Sequence, residues 1–237
     1  MKQKTITSVS DFISKLDLID EVTMFRGHSD INWPLRPSIG RMYDHLDGYD
    51  NWNIFETDIL ERFQKYSGPF LDKTPANRFE WMVIAQHHGL PTRLMDWTTN
   101  PLKGLFFAVE NPSHKCDGAV WLLEPSGWWN DLSEINEKLD VLEILAAYFP
   151  DHINQRVIAQ ESCFTFFPFP AANEPIPEIG AGAYQKHIKR LIKYRIPRNK
   201  KESIRLELKK LGITHLSVFP RLDGLATRIR REFNLDW

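Results

Sequence analysis

The thirteen residues Gln86-His87-His88-Gly89-Leu90-Pro91-Thr92-Arg93-Leu94-Met95-Asp96-Trp97-Thr98 constrain this chain more than any other stretch. They crowd histidine, arginine, aspartate, tryptophan and threonine between two segments with helical apolar spacing. On the upstream side, Thr74-Pro75 reads as an N-cap followed by proline at the first helical position. That helix is expected to run to about Gln86, burying Phe79, Met82, Val83 and Gln86, with Gly89 and Pro91 ending it. Asn100-Pro101 repeats the start signal, Leu102, Leu105, Phe106 and Val109 mark a second buried stripe, and Pro112 is the expected stop. A connection between helices has no packing reason to hold so many polar and titratable groups, whereas loops on a rigid scaffold are where sites are built. A second dense patch, Phe25-Arg26-Gly27-His28-Ser29-Asp30, ends a short apolar run upstream.

Around these two patches the pattern mixes helices and strands. Ser8 to Leu18 reads as a short helix capped by Ser8, with Val9, Phe12, Ile13 and Leu16 on one face. Val22 to Arg26 reads as a strand, 33–48 as irregular, and Phe55 to Tyr66 as helix. Ala119 to Leu123 is a short apolar strand, and Asp131 to Phe149 is expected to be helical with one break. Ser162 to Phe167 is β-prone, and Ala171 to Gly182 is a loop. His187 to Ile196 alternates as a strand does. Arg198 to Leu211 reads as a helix closed by Gly212, and Leu222, Leu225, Ala226, Ile229 and Phe233 line a last one. The order lacks the regular βα alternation of a doubly wound sheet, so the expected class is α+β.

Length fits one domain spanning 1–237, long enough to bury a substantial core. Cys116 and Cys163 form neither a disulfide framework nor a metal-ligand spacing. The N-terminus lacks a signal-peptide core, and no apolar run nears the roughly 20 residues of a membrane span, so a cytoplasmic location without membrane attachment is expected. The net charge of −1 hides an asymmetry. Tyr184 to Trp237, an expected strand-helix-helix region, carries 15 Lys and Arg against 5 Asp and Glu, a net +10, while the remainder carries 15 against 26, a net −11. Such a basic region can meet a nucleic acid, pair with the acidic remainder, or be a solvated helix face.

Phe25-Arg26-Gly27, together with the Gln-His-x-Gly-x-x-Thr-Arg-Leu-x-Asp-Trp-Thr pattern of 86–98 and Asn100-Pro101, resembles the FRG domain family. Arg156 with Ala159-Gln160 and Phe164, and the C-terminal Gly212-Ile213 and Phe219-Pro220-Arg221-Leu222-Asp223-Gly224-Leu225-Ala226, extend the likeness along most of the chain. It departs at Glu161-Ser162-Cys163, where a Gln-x-Gly-like pattern is expected, and at Arg221, where an aspartate is. A weaker resemblance is to the ADP-ribosyltransferases, whose first core strand ends in Tyr/Phe-Arg-Gly, with a later Thr strand and then a Glu or Gln strand. Arg26, Thr98 and Gln160-Glu161 fall in that order. This resemblance implies a split, twisted mixed or antiparallel sheet with flanking helices. It also implies NAD as substrate, without a metal, and transfer of ADP-ribose to a macromolecule or hydrolysis of NAD.

The resemblance assigns roles that the residue chemistry can fill. Arg26 would clamp the pyrophosphate, with Gly27 allowing close backbone approach. His87 would bond a ribose hydroxyl, and Thr98 would hold the nicotinamide side. Glu161 or Asp96 would stabilise the oxocarbenium-like transition state, or Gln160 would orient the ribose. Trp97 would stack on a flat ring, and Arg93 would join the binding set. Each residue also has a structural reading. Arg26 can cap loop carbonyls, Arg93 and Asp96 can pair as buried ions, and Trp97 can be core. His87 and His88 suit a helix C-terminus, Thr98 can cap the next helix, and Gln160 can satisfy backbone groups. A toxin or phage-defence effector, with a nucleic-acid acceptor held by the basic region and a protein antitoxin, is one expected setting. The rivals are a non-catalytic nucleotide- or protein-binding module, and a nuclease using His28 or His87 as acid-base groups. Phosphate-loop, Gly-x-Ser-x-Gly and His-Glu-x-x-His patterns do not occur. His87, His88 and Asp96 make a poor metal set, since adjacent helical residues diverge by roughly 100°.

Overall fold

Among the described residues, one mixed sheet of eight strands organises the fold. The computed structural model describes residues 2–16, 19–111, 115–129, 142–150, 155–233 and 235. The strands are β1 (Lys2–Thr5), β2 (Met24–His28), β3 (Leu94–Thr98), β4 (Gly118–Pro125), β5 (Trp128–Trp129), β6 (Ala146–Tyr148), β7 (Ser162–Phe166) and β8 (Ile188–Ile196). Their order across the sheet is β1-β8-β4-β2-β3-β7-β6-β5. The outer pairs β1/β8 and β5/β6 are parallel, and every inner pair is antiparallel. The helices are α1 (Val9–Lys15), α2 (Trp52–Ser67), α3 (Arg78–His87), α4 (Pro101–Val109), α5 (Gln155–Gln160), α6 (Lys201–Lys210), α7 (His215–Val218) and α8 (Leu222–Glu232). The mixed α+β class expected from sequence is therefore what forms.

The joint between β2 and β3 is the sheet's weak point. β2 shares five register pairs with β4, and β3 shares five with β7, yet β2 and β3 meet only at Phe25↔Thr98. Beyond that pair the two halves part. The backbone N–H of Thr99 donates to Glu161 O at 3.0 Å, and that of Phe167 donates to Arg93 O at 3.2 Å. Backbone groups alternate sides along a strand, so Asp96's carbonyl points away from β7, into the opening toward β2.

Three apolar layers fill the space around the sheet. On the front face, Met24, Met95, Trp97, Trp121, Leu123 and Cys163 pack beneath Leu35, Ile39, Ile176, Ile179 and Tyr184. Behind β1, β8, β4 and β2, the residues Phe25, Val120, Leu122, Ile192, Tyr194 and Ile196 meet α1, α4, α6 and α7. Behind β3, β7 and β6, Leu94, Phe164, Phe166, Ala146 and Tyr148 meet α3 and the second half of α2. The close seat of α4 on β2 is a glycine effect. A Cβ on Gly27 would run into Gly104 O and Ala108 N, and one on Gly104 would lie 2.7 Å from Phe25 Cβ.

Local signals set most helix starts. Ser8 caps α1 by accepting from Asp11 N, and Asn100 caps α4 by accepting from Leu102 N and Lys103 N, with Pro101 at its first position. Three expectations need correction. The helix expected from Thr74-Pro75 begins at Arg78, because Asn77 takes the cap by accepting from Glu80 N while Glu80 reaches back to Ala76 N. Residues 94–98, read from sequence as part of a loop, form the inner strand β3. Residues 146–148 are a strand pairing with β7, not the end of a helix, while 130–141 of that expected helix lie outside the described residues. The last helix forms, but its apolar side is not covered: Leu222 is 82 % exposed and Phe233 70 %. The remaining elements lie within a few residues of their expected limits, and the expected stop at Pro112 lies outside the described residues.

Candidate functional site

Arg26 stands on the front face of β2 at the point where the sheet opens. It is half-buried, and its Nη1 donates to Asp96 O, the carbonyl left without a strand partner. Its Nε donates to His28 Nε2 at 3.1 Å. His28 is 2 % exposed, and its Nδ1 faces Trp33 O at 3.2 Å. An Nε2 that accepts must be bare, so Nδ1 carries the proton and donates to Trp33. Both acceptors of Arg26 are therefore neutral.

The electrostatics around this pair are unusual. Burial works against the charge of Arg26, the charge of Asp96 offsets part of that, and the nearby Arg41 adds repulsion. Burial also depresses the His28 imidazole to about 3, with Arg26, Arg41 and Lys193 adding to the effect against the Trp33 carbonyl. His28 is thus neutral at any ordinary pH. Among the described residues no carboxylate is hydrogen-bonded to Arg26, and the Asp96 side chain is exposed. A guanidinium held by neutral groups beside a second guanidinium is an arrangement that an anion would stabilise.

The other expected site residues distribute differently. Thr98 is buried and points to the rear, where its hydroxyl donates to Gln160 O at 2.6 Å and accepts from Asn100 N at 3.1 Å. Gln160 is 8 % exposed, and its side-chain amide donates to Val218 O at 3.4 Å. Glu161 takes a left-handed backbone at φ 48° and accepts from Lys103 Nζ at 2.6 Å and Asn100 Nδ2 at 3.1 Å. Burial opposes its charge, but these bonds outweigh it and hold the carboxyl below its ordinary value. Thr98, Gln160 and Glu161 do come together, as expected, but against α4 and α7 on the face opposite Arg26. Side chains alternate along a strand, and Thr98 is paired with Phe25, whose side chain lies in the rear layer.

Arg93, Trp97, Gly27 and His87 also take other places. Arg93 is 1 % exposed and pairs with the fully buried Glu56, not with Asp96: its Nε donates to Oε2 at 2.7 Å and its backbone N–H to Oε1 at 2.7 Å. Its Nη2 donates to Asn53 Oδ1 at 2.6 Å, and its guanidinium stacks 3.6 Å above the Phe169 ring. The pair binds α2 to the start of β3, out of reach of a ligand. Trp97 is 3 % exposed, and its indole N–H is bonded to Thr165 Oγ1 at 3.0 Å, so it is core and not a stacking platform. The close approach that Gly27 permits is that of α4. His87 ends α3 behind the other half of the sheet, with its ring 4.9 Å from that of His88.

Three front-face residues were not legible as partners of Arg26. Register places Arg26 opposite Trp121 and Trp121 opposite Lys193, so the three lie in one row across β2, β4 and β8. Lys193 Nζ sits 4.7 Å from the Trp121 ring centroid. Arg41, in the helical turn Ser38–Arg41, faces the same region. Among the described residues no group of three His, Cys, Asp or Glu side chains can hold a metal, and no helix is long and apolar enough to cross a membrane.

Comparison with known proteins matches residues 21–117 to the family model of the FRG domain. That segment holds Phe25-Arg26-Gly27, the whole of 86–98 and helix α4, while β4 and β7, which flank its strands β2 and β3 in the sheet, lie beyond it. No curated protein and no solved structure matches the chain.

Proposed function

We propose that this chain, which carries an FRG domain over residues 21–117, binds NAD in the opening between β2 and β3 and breaks its nicotinamide–ribose bond, as an ADP-ribosyltransferase does. The observation that carries the reading is Arg26: a half-buried guanidinium at the split of the sheet, bonded to neutral acceptors and repelled by Arg41. A pyrophosphate supplies the missing negative charge and matches the bidentate geometry of arginine. The charge of Asp96 bears on Arg26, but strand alternation sets its exposed side chain on the rear face with its register partner Phe164, not beside Arg26. In that reaction the C1′–N bond breaks and nicotinamide leaves with the electron pair. The ribose takes on positive charge, and water or an acceptor group adds at C1′ and loses a proton. A carboxylate stabilises the charge that develops. The sheet's parting beyond the single β2/β3 register pair, beside Arg26, supports this reading.

One observation favours a second reading, a nucleotide-binding module without catalysis. Thr98, Gln160 and Glu161 are bonded to one another's neighbourhood on the rear face, away from Arg26. Nicotinamide release from NAD by the purified chain decides between the two, run beside Arg26→Ala and with RNA, DNA and cell lysate as acceptors. Release by the wild type and not by the variant is the expected result. NAD binding without release, with every acceptor present, would establish the binding module. Full release by Arg26→Ala would overturn the role given to this residue.

A further inference from the structure

The row Arg26–Trp121–Lys193 carries a cation at each end of the front face, across β2, β4 and β8. Lys193 is half-buried, and its ammonium donates to Ile31 O at 2.7 Å, which leaves two further N–H donors on the same nitrogen. Register puts it on the same face of the sheet as Arg26, with Trp121 between them. Trp121 is 5 % exposed, yet its indole N–H is buried without an acceptor among the described residues. The Nε of Arg36 and the hydroxyl of Tyr184 are likewise buried without partners. Tyr184 belongs to the front layer with Trp121, and the Arg36 charge bears on its hydroxyl. All of these groups carry protons to donate, so acceptor oxygens are what this part of the front face lacks. Such unpaired donors are rare in native interiors.

We propose that the Lys193 end of this front-face row is a second anion subsite that takes a phosphate monoester of the bound dinucleotide, so that a 2′-phosphorylated NAD, the NADP class, is preferred over NAD. This rests on the reading of Arg26 as the pyrophosphate clamp. Arg26 and Arg41 supply the two positive charges that a pyrophosphate requires. Lys193 is a further cation two strands away, roughly 10 Å at ordinary strand spacing. The 2′-phosphate of an adenosine lies one ribose from its 5′-phosphate, a separation that two long cationic side chains converging on one face can span. The charges of Glu178 and Asp30 bear on Lys193 but, among the described residues, no carboxylate is bonded to it.

Calorimetric titration of the full chain with NAD and with NADP tests this, using wild type, Lys193→Met, Lys193→Arg and Arg26→Ala, each checked for a cooperative melt. The wild type is expected to bind NADP at least ~10-fold more tightly than NAD. Lys193→Met brings that ratio close to one, and Lys193→Arg keeps most of it. Equal affinities in the wild type, or a ratio that survives in Lys193→Met, would overturn the second subsite while leaving the NAD reading in place. Absence of binding by either dinucleotide would remove both.

Discussion

The Nε–H of Arg26 donates to Nε2 of His28 across 3.1 Å, so the residue two places along β2 holds the key arginine through a bare ring nitrogen. This bond depends on His28 staying neutral, which burial secures by depressing its pKa to about 3. The unfolded chain takes up this proton near the ordinary 6.5, whereas the folded chain does not. Stability from this group is therefore complete above 6.5 and falls as pH drops toward 3. Urea titrations across that window are expected to show a shallower loss in His28→Gln than in the wild type. Parallel slopes would mean that His28 does not titrate on unfolding as its burial requires.

Glu56 and Arg93 form the ion pair that matters for folding. Glu56→Gln leaves the buried Arg93 without its carboxylate and is expected to cost about 3–5 kcal/mol in a denaturant titration, and Arg93→Met less, because Arg78 stays 3.6 Å from Glu56 Oε2. Replacing both by apolar residues is expected to cost less than the sum of the two single changes.

Gly27→Ala is expected to destabilise by about 1–3 kcal/mol or more, because the new methyl meets backbone atoms of α4 that cannot turn aside. The same experiment on Gly48, where φ is +91° but nothing lies within 4 Å, separates crowding from backbone strain. Near-equal costs at the two positions would show that α4 yields easily.

Arg26→Met is expected to leave the melting temperature unchanged or raise it, since the side chain removed is a desolvated cation that no carboxylate bonds. A fall as large as that of Glu56→Gln would instead make Arg26 a structural clamp for the open edge of β3.

Glu161→Gln tests the rear cluster. Its carboxylate is 46 % exposed and bonded to Lys103, so the expected stability cost is under about 1 kcal/mol. Nicotinamide release is expected to persist. Its loss would return Glu161 to the reacting centre and require the bound ligand to reach round the end of β3.

The helix starts were readable because capping is local. Ser8 and Asn100 each satisfy N–H groups within three residues of themselves. β3 was not readable as a strand. Four of its five residues are buried, on two faces, so Leu-Met-Asp-Trp-Thr shows no alternation to betray it, and its polar flanks resemble a loop. The short strand Ala146–Tyr148 exists only through β7 beside it. Polar residues were recognised as meaningful at 86–98, but Arg93 found its carboxylate 37 positions away on α2. That distance along the chain is one that only packing can close.

The sequence by itself determined the family segment, the α+β class and the helix caps at Ser8 and Asn100, because short-range hydrogen bonding and residue identity suffice for each. Tertiary structure decided which side chains share a face. The register Phe25↔Thr98 turned Thr98 to the rear, while Arg26↔Trp121↔Lys193 aligned two cations and an indole on the front. In a sheet, a side chain's companions are chosen by strand pairing, and a shift of one residue would have exchanged the two faces.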